Sequence, residues 1–552
     1  MSHFSGGLKL TDLDDFIAPS QECVKPVAIE KKKPKESKAI KLDDDGGYFE
    51  VSQDGTAKKL PKAKITLDDC LACSGCITTA ESILISAQSQ EELYRVLDAN
   101  FKISIGEPVY KQLDTEMADE MENDAMGSGS GSIEGKRIVD EDAVRKIVVV
   151  SIAPQSIASL SVKYNMSMDE VARRVCFFLR SMGVHFIFDV SLARNFSLME
   201  AQREFVRRYQ LLQSQKADGV IKKKGTEILP MLASACPGWV CYAEKTHGDF
   251  IVPYISTTKS PQQIMGSLVK GYLAESIDVS AAHFYHVAVM PCFDKKLEAS
   301  RQDFYNDVLS TRDVDCVITT GELDSIFTEK TGGFEVSSPV ESHSFDSLIH
   351  AAKTGPWEWS NISHRTDIVG EKALAPEDSE EMVRHQGSVS GGYTEHVLIY
   401  AAKELFGLTL DELEYKTVRN KDFQECLVQK DGVTVLQGAL AYGFRNIQSL
   451  VQKVKRGKSV YDYVEVMACP SGCVNGGGQI KDANQSKQKD IVSKVGANYL
   501  ALPTQSSALV DPDVDLLYSD WLDGSGSVKA QAALHTEYHA VEKMTSGLTI
   551  KW

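Results

Sequence analysis

Hydrophobic and polar residues from about position 145 onward form a repeating pattern of short apolar runs and longer amphipathic segments. Residues 147–152 are almost entirely apolar, which is typical of a strand buried on both faces of a sheet. Similar runs predict strands at 184–190, 287–290, 316–319, 433–436 and 464–467. Between them, Ser167 with Glu170 and Ser197 with Glu200 have the spacing of capping boxes that begin helices. The alternation predicts βαβ units and an α/β fold with a mostly parallel sheet.

The chain outside this region is patterned differently. Residues 1 to about 60 have few apolar and many charged positions, which is typical of disordered stretches. An acidic run and alternating Gly and Ser at 127–132 indicate a flexible linker. We therefore predict an N-terminal module over residues 1–111, a linker over 112–140, an α/β core over 141–504 and a C-terminal segment over 505–552.

The composition narrows the class of protein and its compartment. A chain of 552 residues is too long for a single hydrophobic core. Its net charge of −17 disfavours nucleic acid and anionic membranes as partners, and no apolar run reaches the ~18 residues of a membrane span. Its twelve cysteines and polar N-terminal residues predict a reducing compartment in which thiols bind metal. We expect a cytoplasmic metalloprotein, and the lysine run at 31–35 leaves a nuclear address as an alternative to a solvated segment.

Four cysteines follow strand-like runs or lie in loops rich in Pro and Gly: Cys236, Cys292, Cys469 and Cys473. Because sites in open α/β sheets form at the carboxyl ends of strands, one core would bring these thiols together. Four soft thiolates are the ligands of one iron–sulfur cubane. Glycines at 476–478 let backbone approach a bulky anionic group, and a helix beginning after Ser260 would point amides at it. We therefore predict a cluster at these cysteines, with four unrelated core thiols as the alternative.

A second group of cysteines lies near the N-terminus. Cys70, Cys73 and Cys76 have the C-x2-C-x2-C spacing that supplies three ligands from one tight loop. Ala80 stands where a ferredoxin-type run has its fourth cysteine, so we predict that Cys23 completes a second [4Fe–4S] site. The alternatives are a free Cys23 with another group as fourth ligand, or zinc, which also accepts four thiolates. The cysteines predicted to be packing residues are Cys176, Cys241, Cys316 and Cys426.

The segments around the core cysteines resemble the three signature loops of the [FeFe]-hydrogenase family. These segments are residues 234–239, 290–298 and 467–479, and segments 259–263 and 390–392 fit the same family. The N-terminal cysteines and the terminal Trp552 resemble its eukaryotic hydrogenase-like branch, the nuclear prelamin A recognition factor-like or cytosolic iron–sulfur assembly component 3 family. The resemblance implies a hydrogenase-like core of two parallel-sheet lobes, a small N-terminal ferredoxin-like cluster module, a C-terminal wrapping segment and two [4Fe–4S] clusters.

The resemblance also implies roles for single residues. In hydrogenases the residue matching Cys473 bridges the cubane to a diiron centre, the residue matching Lys295 contacts that centre, and the residue matching Glu298 lies on the proton path. Ala235 stands where hydrogenases carry a cysteine that relays protons, and alanine has no proton to give. Ile480 replaces a proline of the hydrogenase loop. These departures favour the assembly branch.

That branch implies a cytosolic iron–sulfur assembly factor without catalytic residues, which binds two clusters and links a scaffold to a targeting complex. Its implied partners are the scaffold and targeting proteins and the apo forms of cytosolic and nuclear iron–sulfur proteins, with neither nucleic acid nor membrane. Trp552 with its free carboxylate would dock onto the targeting complex, although Lys551 before it is atypical. An active [FeFe]-hydrogenase-type oxidoreductase and a scaffold whose clusters only hold the fold stay open as alternatives.

Overall fold

The structure is a computed structural model that describes residues 84–85, 87–110, 144–217, 228–331, 344–353, 382–482, 485–505 and 511–541, and the backbone of four further short strands. The predicted linker at 112–140 lies outside the described residues. So do the predicted ligands of the second cluster and the predicted docking residue, which are Cys23, Cys70, Cys73, Cys76 and Trp552.

The chain divides into two compact units, one of residues 1–70 and 108–143 and the other of residues 71–107 and 144–552. In the first unit the strands β1 (Ala39–Leu42), β2 (Tyr48–Val51) and β3 (Ala57–Lys59) form an antiparallel sheet. The fold described below is that of the second unit.

The strands of the second unit follow in chain order as β4 Ile147–Ile152, β5 Phe186–Asp189, β6 Met231–Ala233, β7 Phe284–Met290, β8 Tyr305–Asn306, β9 Thr311–Arg312, β10 Cys316–Thr319, β11 Phe345–Asp346, β12 Ser379–Glu380, β13 Arg384–His385, β14 Tyr415–Asn420, β15 Phe423–Lys430, β16 Val433–Tyr442, β17 Tyr463–Met467 and β18 Thr504–Gln505. The α-helices are α1 Gln90–Ser104, α2 Pro154–Tyr164, α3 Met168–Ser181, α4 Ser191–Ala217, α5 Pro237–Tyr242, α6 Pro261–Ser267, α7 Ala274–Ser276, α8 Asp294–Ala299, α9 Thr320–Thr331, α10 Leu348–Lys353, α11 Tyr393–Phe406, α12 Phe444–Lys455, α13 Gln485–Leu500, α14 Pro512–Asp520 and α15 Val528–Leu534. Among the described residues, none of these helices combines the length and apolar character needed to cross a membrane.

The first lobe is built on a four-stranded parallel sheet with the order β10–β7–β4–β5. Every residue of β4 is buried, as its unbroken apolar run predicts, and Ile147 pairs with Phe284 of β7. Helices α1, α2, α3, α9 and α13 contribute apolar side chains to the same core. For α1 these side chains are Leu93, Val96 and Leu97.

The second lobe is built on a five-stranded sheet with the order β14–β15–β16–β17–β6. Strands β16, β17 and β6 are parallel, whereas β14, β15 and β16 form an antiparallel meander. The predicted strand at 433–436 is longer than expected and continues to Tyr442. Its first residues pair with β15 alone and are exposed, whereas its last residues also pair with β17 and are buried. No single apolar run therefore marks the whole strand.

The predicted helix starts agree with the structure in two cases and fail in one. Ser167 caps α3, and its side chain accepts a hydrogen bond from the backbone N–H of Glu170 at 3.2 Å. Helix α6 begins after Ser260 as predicted, although Ser260 makes no capping hydrogen bond to the backbone. The start at Ser197 is wrong, because Ser197 lies inside α4 and its hydroxyl donates to the carbonyl of Lys259.

Candidate functional site

Three strands from the two sheets end immediately before the loops that carry the four core cysteines. Strand β7 ends at Met290, two residues before Cys292, and β17 ends at Met467, two residues before Cys469. Strand β6, the neighbour of β17, ends three residues before Cys236. The cysteines therefore follow the carboxyl ends of parallel strands, where sites of α/β proteins form.

The loop of Cys236 is bonded to the loop of Cys469. The hydroxyl of Ser234 donates to the carbonyl of Val466 and accepts from the backbone N–H of Cys236 at 3.0 Å. The backbone N–H of Ala468 in turn lies 3.4 Å from the Sγ atom of Cys236. These bonds fix the Cys236 thiol against the residues that precede Cys469.

The loop of Cys292 lies against the glycine run that follows Cys473. The backbone N–H of Gly478 donates to the carbonyl of Pro291 at 2.9 Å. A Cβ atom built on Gly476 would lie 2.1 Å from that same carbonyl oxygen, and one on Gly478 would lie 3.2 Å from the Cα atom of Cys292. Real Cβ atoms essentially never come within 3.0 Å of other atoms, so the contact requires glycine at position 476, and a side chain at 478 would be crowded against both Cys292 and Thr319.

Two further contacts complete the arrangement. A Cβ atom on Gly238 would lie 2.8 Å from a carboxylate oxygen of Asp294 at the start of α8, so the loops of Cys236 and Cys292 also meet directly. The backbone N–H of Cys473 donates to the Ser390 hydroxyl at 3.0 Å. Asp294 was not predicted as a site residue. The one indication in the sequence is that it lies two positions after the predicted ligand Cys292.

Two of the four thiols lie in the same buried environment beside Asp294. Burial raises the pKa of Cys236 to about 12, with further contributions from the charges of Asp294 and Cys473. Burial raises the pKa of Cys292 well above its ordinary value, and Asp294, Cys236 and Cys469 add to this. The thiols of Cys236 and Cys292 are therefore protonated in the protein without metal, and metal binding at them must release protons.

The chemistry of the four side chains fits an iron–sulfur cubane. Among the described residues, no three His, Cys, Asp or Glu side chains lie close enough together to hold one metal ion. Four thiolates are also the ligand set that a [4Fe–4S] cluster takes. Because Gly476 and Gly478 have no side chains, the backbone of this run lies directly against the Cys292 loop.

A buried polar group lies beside the Cys292 loop. The Nζ atom of Lys295 donates to Glu298 at 2.7 Å and to the Ser260 hydroxyl at 3.0 Å, and Gln262 donates to the same carboxylate at 3.2 Å. The side-chain oxygen of Gln262 and both amide atoms of Gln263 are buried and have no hydrogen-bond partner in the described structure. The residues that match the hydrogenase lysine and glutamate are therefore paired with each other.

Two of the cysteines predicted to be packing residues are confirmed as such. Cys176 and Cys316 are fully buried members of the first lobe's hydrophobic core. Cys426 is also buried, and it lies on β15, opposite Gly438 of β16. Cys241 is half-buried.

The sequence matches the family described as iron only hydrogenase large subunit, C-terminal domain, over residues 146–477. It is 50% identical over 551 residues to the Xenopus tropicalis protein named cytosolic Fe-S cluster assembly factor narfl, with 100% of each chain covered. It is 46% identical over 551 residues to the Rattus norvegicus protein named cytosolic iron-sulfur assembly component 3, again with 100% of each chain covered.

Solved structures give the same fold. One [FeFe]-hydrogenase from Chlamydomonas reinhardtii has a TM-score of 0.55 and 28% sequence identity, and the match covers 73% of this chain and 96% of that chain. An apo [FeFe]-hydrogenase from the same organism has a TM-score of 0.55 and 27% identity. The predicted hydrogenase-like α/β core is confirmed.

Proposed function

Because the chain belongs to the cytosolic iron–sulfur assembly component 3 family, within the iron only hydrogenase fold, we propose that it is a non-catalytic cytosolic assembly factor. In this proposal it holds two [4Fe–4S] clusters and links a cytosolic scaffold to a targeting complex. The observation that carries it is the mutual contact of the Cys236, Cys292 and Cys469–Cys473 loops. The names of the full-length relatives support the assembly role.

At the core site, Cys236, Cys292, Cys469 and Cys473 would hold one cluster as thiolates. When bound, this cluster would cross-link the two lobes and carry one electron. The chain's own residues do the remaining work. Burial keeps water from the two most enclosed thiols, those of Cys236 and Cys292, and glycines allow the loops to approach. This cluster is the more structural of the two in our proposal.

The second cluster would be held by Cys70, Cys73, Cys76 and Cys23, and it is the one we propose as cargo. Transfer requires ligand exchange, and exchange is fastest where the ligands come from segments of low local stability. The spacing of three of these cysteines within one short loop supports cluster binding there. We propose that Trp552 docks the loaded protein onto the targeting complex, in the cytosol and in contact with apo forms of cytosolic and nuclear proteins.

A transfer assay tests this function. Loaded full-length protein is mixed anaerobically with an apo iron–sulfur acceptor, the two are separated, and iron in the acceptor is counted. We expect the parent to transfer one cluster, Cys73→Ala to transfer none while keeping its core cluster, and Cys176→Ala to behave as the parent. Clusters that stay on the parent throughout would contradict the carrier and favour a structural scaffold.

The enzyme alternative has one observation in its favour, the buried Lys295–Glu298 pair beside the Cys292 loop. Against it, Ala235 has no proton to relay to a diiron centre. Infrared spectroscopy separates the two, because diatomic ligands on iron give bands that a carrier lacks. We expect no such bands and no hydrogen evolution, and their appearance in protein loaded under hydrogenase-maturing conditions would overturn the carrier proposal.

A further inference from the structure

One arginine of helix α4 is buried and forms no ion pair among the described residues. Arg194 lies in the first turns of α4 and is 5% exposed. Farther along this helix, Arg203 and Arg208 form ion pairs with the glutamates one turn before them. Within the described part of the chain, Arg194 forms no ion pair, and its one side-chain hydrogen bond is a long one of 3.4 Å to the Tyr499 hydroxyl. Its Nε atom is buried with no partner.

An unpaired buried guanidinium is strongly unfavourable, because burial removes its hydration and nothing replaces it. The acidic residue that acts on it electrostatically is Asp189. The carboxylate of Asp189 instead accepts hydrogen bonds from the backbone N–H and hydroxyl of Ser191, at 3.1 and 3.0 Å. Arg194 is therefore near a carboxyl group but forms no ion pair with it, which leaves its buried Nε donor available for a negative partner outside the polypeptide.

The position of Arg194 identifies that partner. A Cβ atom built on Gly391 would lie 3.2 Å from both Cδ and Nε of Arg194, so the arginine passes directly behind the 388–392 loop. Ser390 of the same loop accepts the hydrogen bond of the Cys473 N–H.

We propose that Arg194 is the fixed countercharge of the core cluster and stabilises the added negative charge of the reduced cluster. This inference rests on the proposed core cluster. Reduction adds one electron to the cluster and no proton, so a nearby cation stabilises the reduced state more than the oxidised state. The effect is large where the surroundings are buried, because the effective dielectric constant is low. Arg194 is a positioning residue that raises the reduction potential of the cluster.

The test is a redox titration, with dithionite as the electron donor, followed by electron paramagnetic resonance. It uses the full-length chain with Cys73→Ala, so that the remaining cluster signal belongs to the core. We expect Arg194→Met and Arg194→Gln to shift the midpoint potential downward. Arg194→Lys, which keeps the charge, should lie closer to the parent. Tyr499→Phe removes the hydrogen bond and keeps the charge, so it should leave the midpoint unchanged.

Two results would contradict this inference, one for Arg194 and one for the core cluster. A midpoint in Arg194→Met equal to that of Tyr499→Phe, with the iron content intact, overturns the role of Arg194 and leaves the core cluster standing. If Arg194→Gln fails to fold, Arg194→Met still decides, because an apolar residue removes the cost of an unpaired buried charge. If the Cys73→Ala protein keeps its iron when Cys292→Ala is added, the proposed core cluster is wrong, and this inference is wrong with it.

Discussion

The backbone N–H of Ala468 points at the sulfur of Cys236 across 3.4 Å, although the two residues are 232 positions apart in the chain. A donor aimed at sulfur favours the thiolate, since a negative sulfur is the better acceptor. The loop is held in this position by Ser234, which bonds both Cys236 and Val466. The core site therefore depends on contacts between loops as much as on the cysteines.

The first prediction removes this brace. Ser234→Ala leaves the N–H of Cys236 and the carbonyl of Val466 without their partner, so we expect the apo protein to lose about 1–3 kcal/mol of unfolding free energy. Urea denaturation measures it. The control is Ser214→Ala, because Ser214 is exposed and bonds only its own helix. Equal unfolding free energies for the two variants would show that Ser234 does not brace the site.

The second prediction concerns the close approach of Gly476 to the Cys292 loop. Gly476→Ala places a methyl group 2.1 Å from the carbonyl oxygen of Pro291, and the loops must separate to admit it. We expect a loss of about 1–3 kcal/mol in unfolding free energy and lower iron occupancy after anaerobic reconstitution. Gly496→Ala is the matched control, since its Cβ meets nothing within 4 Å in helix α13. That variant should be more stable by about 1 kcal/mol, and an unchanged iron content in Gly476→Ala would contradict the proposed geometry.

The third prediction concerns Gln88, which lies just before α1. Its side chain donates to the carbonyl of Lys296 at 2.8 Å and to the Ser300 hydroxyl at 2.7 Å, and it accepts from the N–H of Val317 at 3.0 Å. Gln88→Ala removes all three bonds and leaves the buried N–H of Val317 without its side-chain acceptor, so we expect about 1–3 kcal/mol of destabilisation. Hydrogen exchange should accelerate at the amides of α1 in this variant.

The control for Gln88 is Gln452→Ala, which removes an exposed glutamine of α12. It should leave hydrogen exchange in α1 at the parent rate. Unchanged protection of α1 in Gln88→Ala would mean that the apolar face of α1, and not this glutamine, anchors the segment that follows the N-terminal cysteines.

The fourth prediction is a pH dependence of stability that arises from Glu200. Burial alone would raise the pKa of this carboxyl, but hydrogen bonds from His535 and Tyr518 and the charge of Arg203 outweigh it and lower the pKa from 4.5 to about 2. Because the folded-state pKa is lowered, the stabilisation is present above about pH 4.5 and is lost as the pH falls towards 2. The shift corresponds to about 3 kcal/mol at most.

Urea denaturation between pH 6 and pH 3 checks this. The parent should lose stability more steeply than Glu200→Gln over this range. Glu275→Gln, which removes an exposed ion pair with Lys529, should follow the parent. Parallel pH profiles for the parent and Glu200→Gln would show that the carboxyl of Glu200 is not the titrating group.

Local patterns predicted the strands better than the helix starts. The strands at 147–152 and 316–319 have the predicted bounds, because an unbroken apolar run can be satisfied only by burial on both faces. The spacing of Ser197 and Glu200 is the same inside a helix as at its start. Nothing local shows that α4 already begins at Ser191, where Asp189 bonds the first backbone N–H.

The part of the candidate site that could be predicted from the sequence is the set of cysteines that follow predicted strands. The position of a cysteine after a strand is a local signal that the sequence carries. It marked four of the predicted ligands, which are Cys236, Cys292, Cys469 and Cys473. Local patterns gave no signal for Arg194 or Asp294, because their contacts are with residues far away in the chain. A lone arginine in a charged helix normally indicates an exposed face, and only the folded structure shows that this one is buried.

The presence of two separate clusters is tested most directly by an anaerobic count of iron and sulfide in the full-length protein, in two ligand variants and in one control variant. We expect about eight irons and eight sulfides in the parent if both clusters are present. Cys73→Ala and Cys292→Ala should each lose about four of both, independently, while Cys176→Ala loses none. A single shared loss in the two variants, or stoichiometric zinc in place of iron, would contradict it.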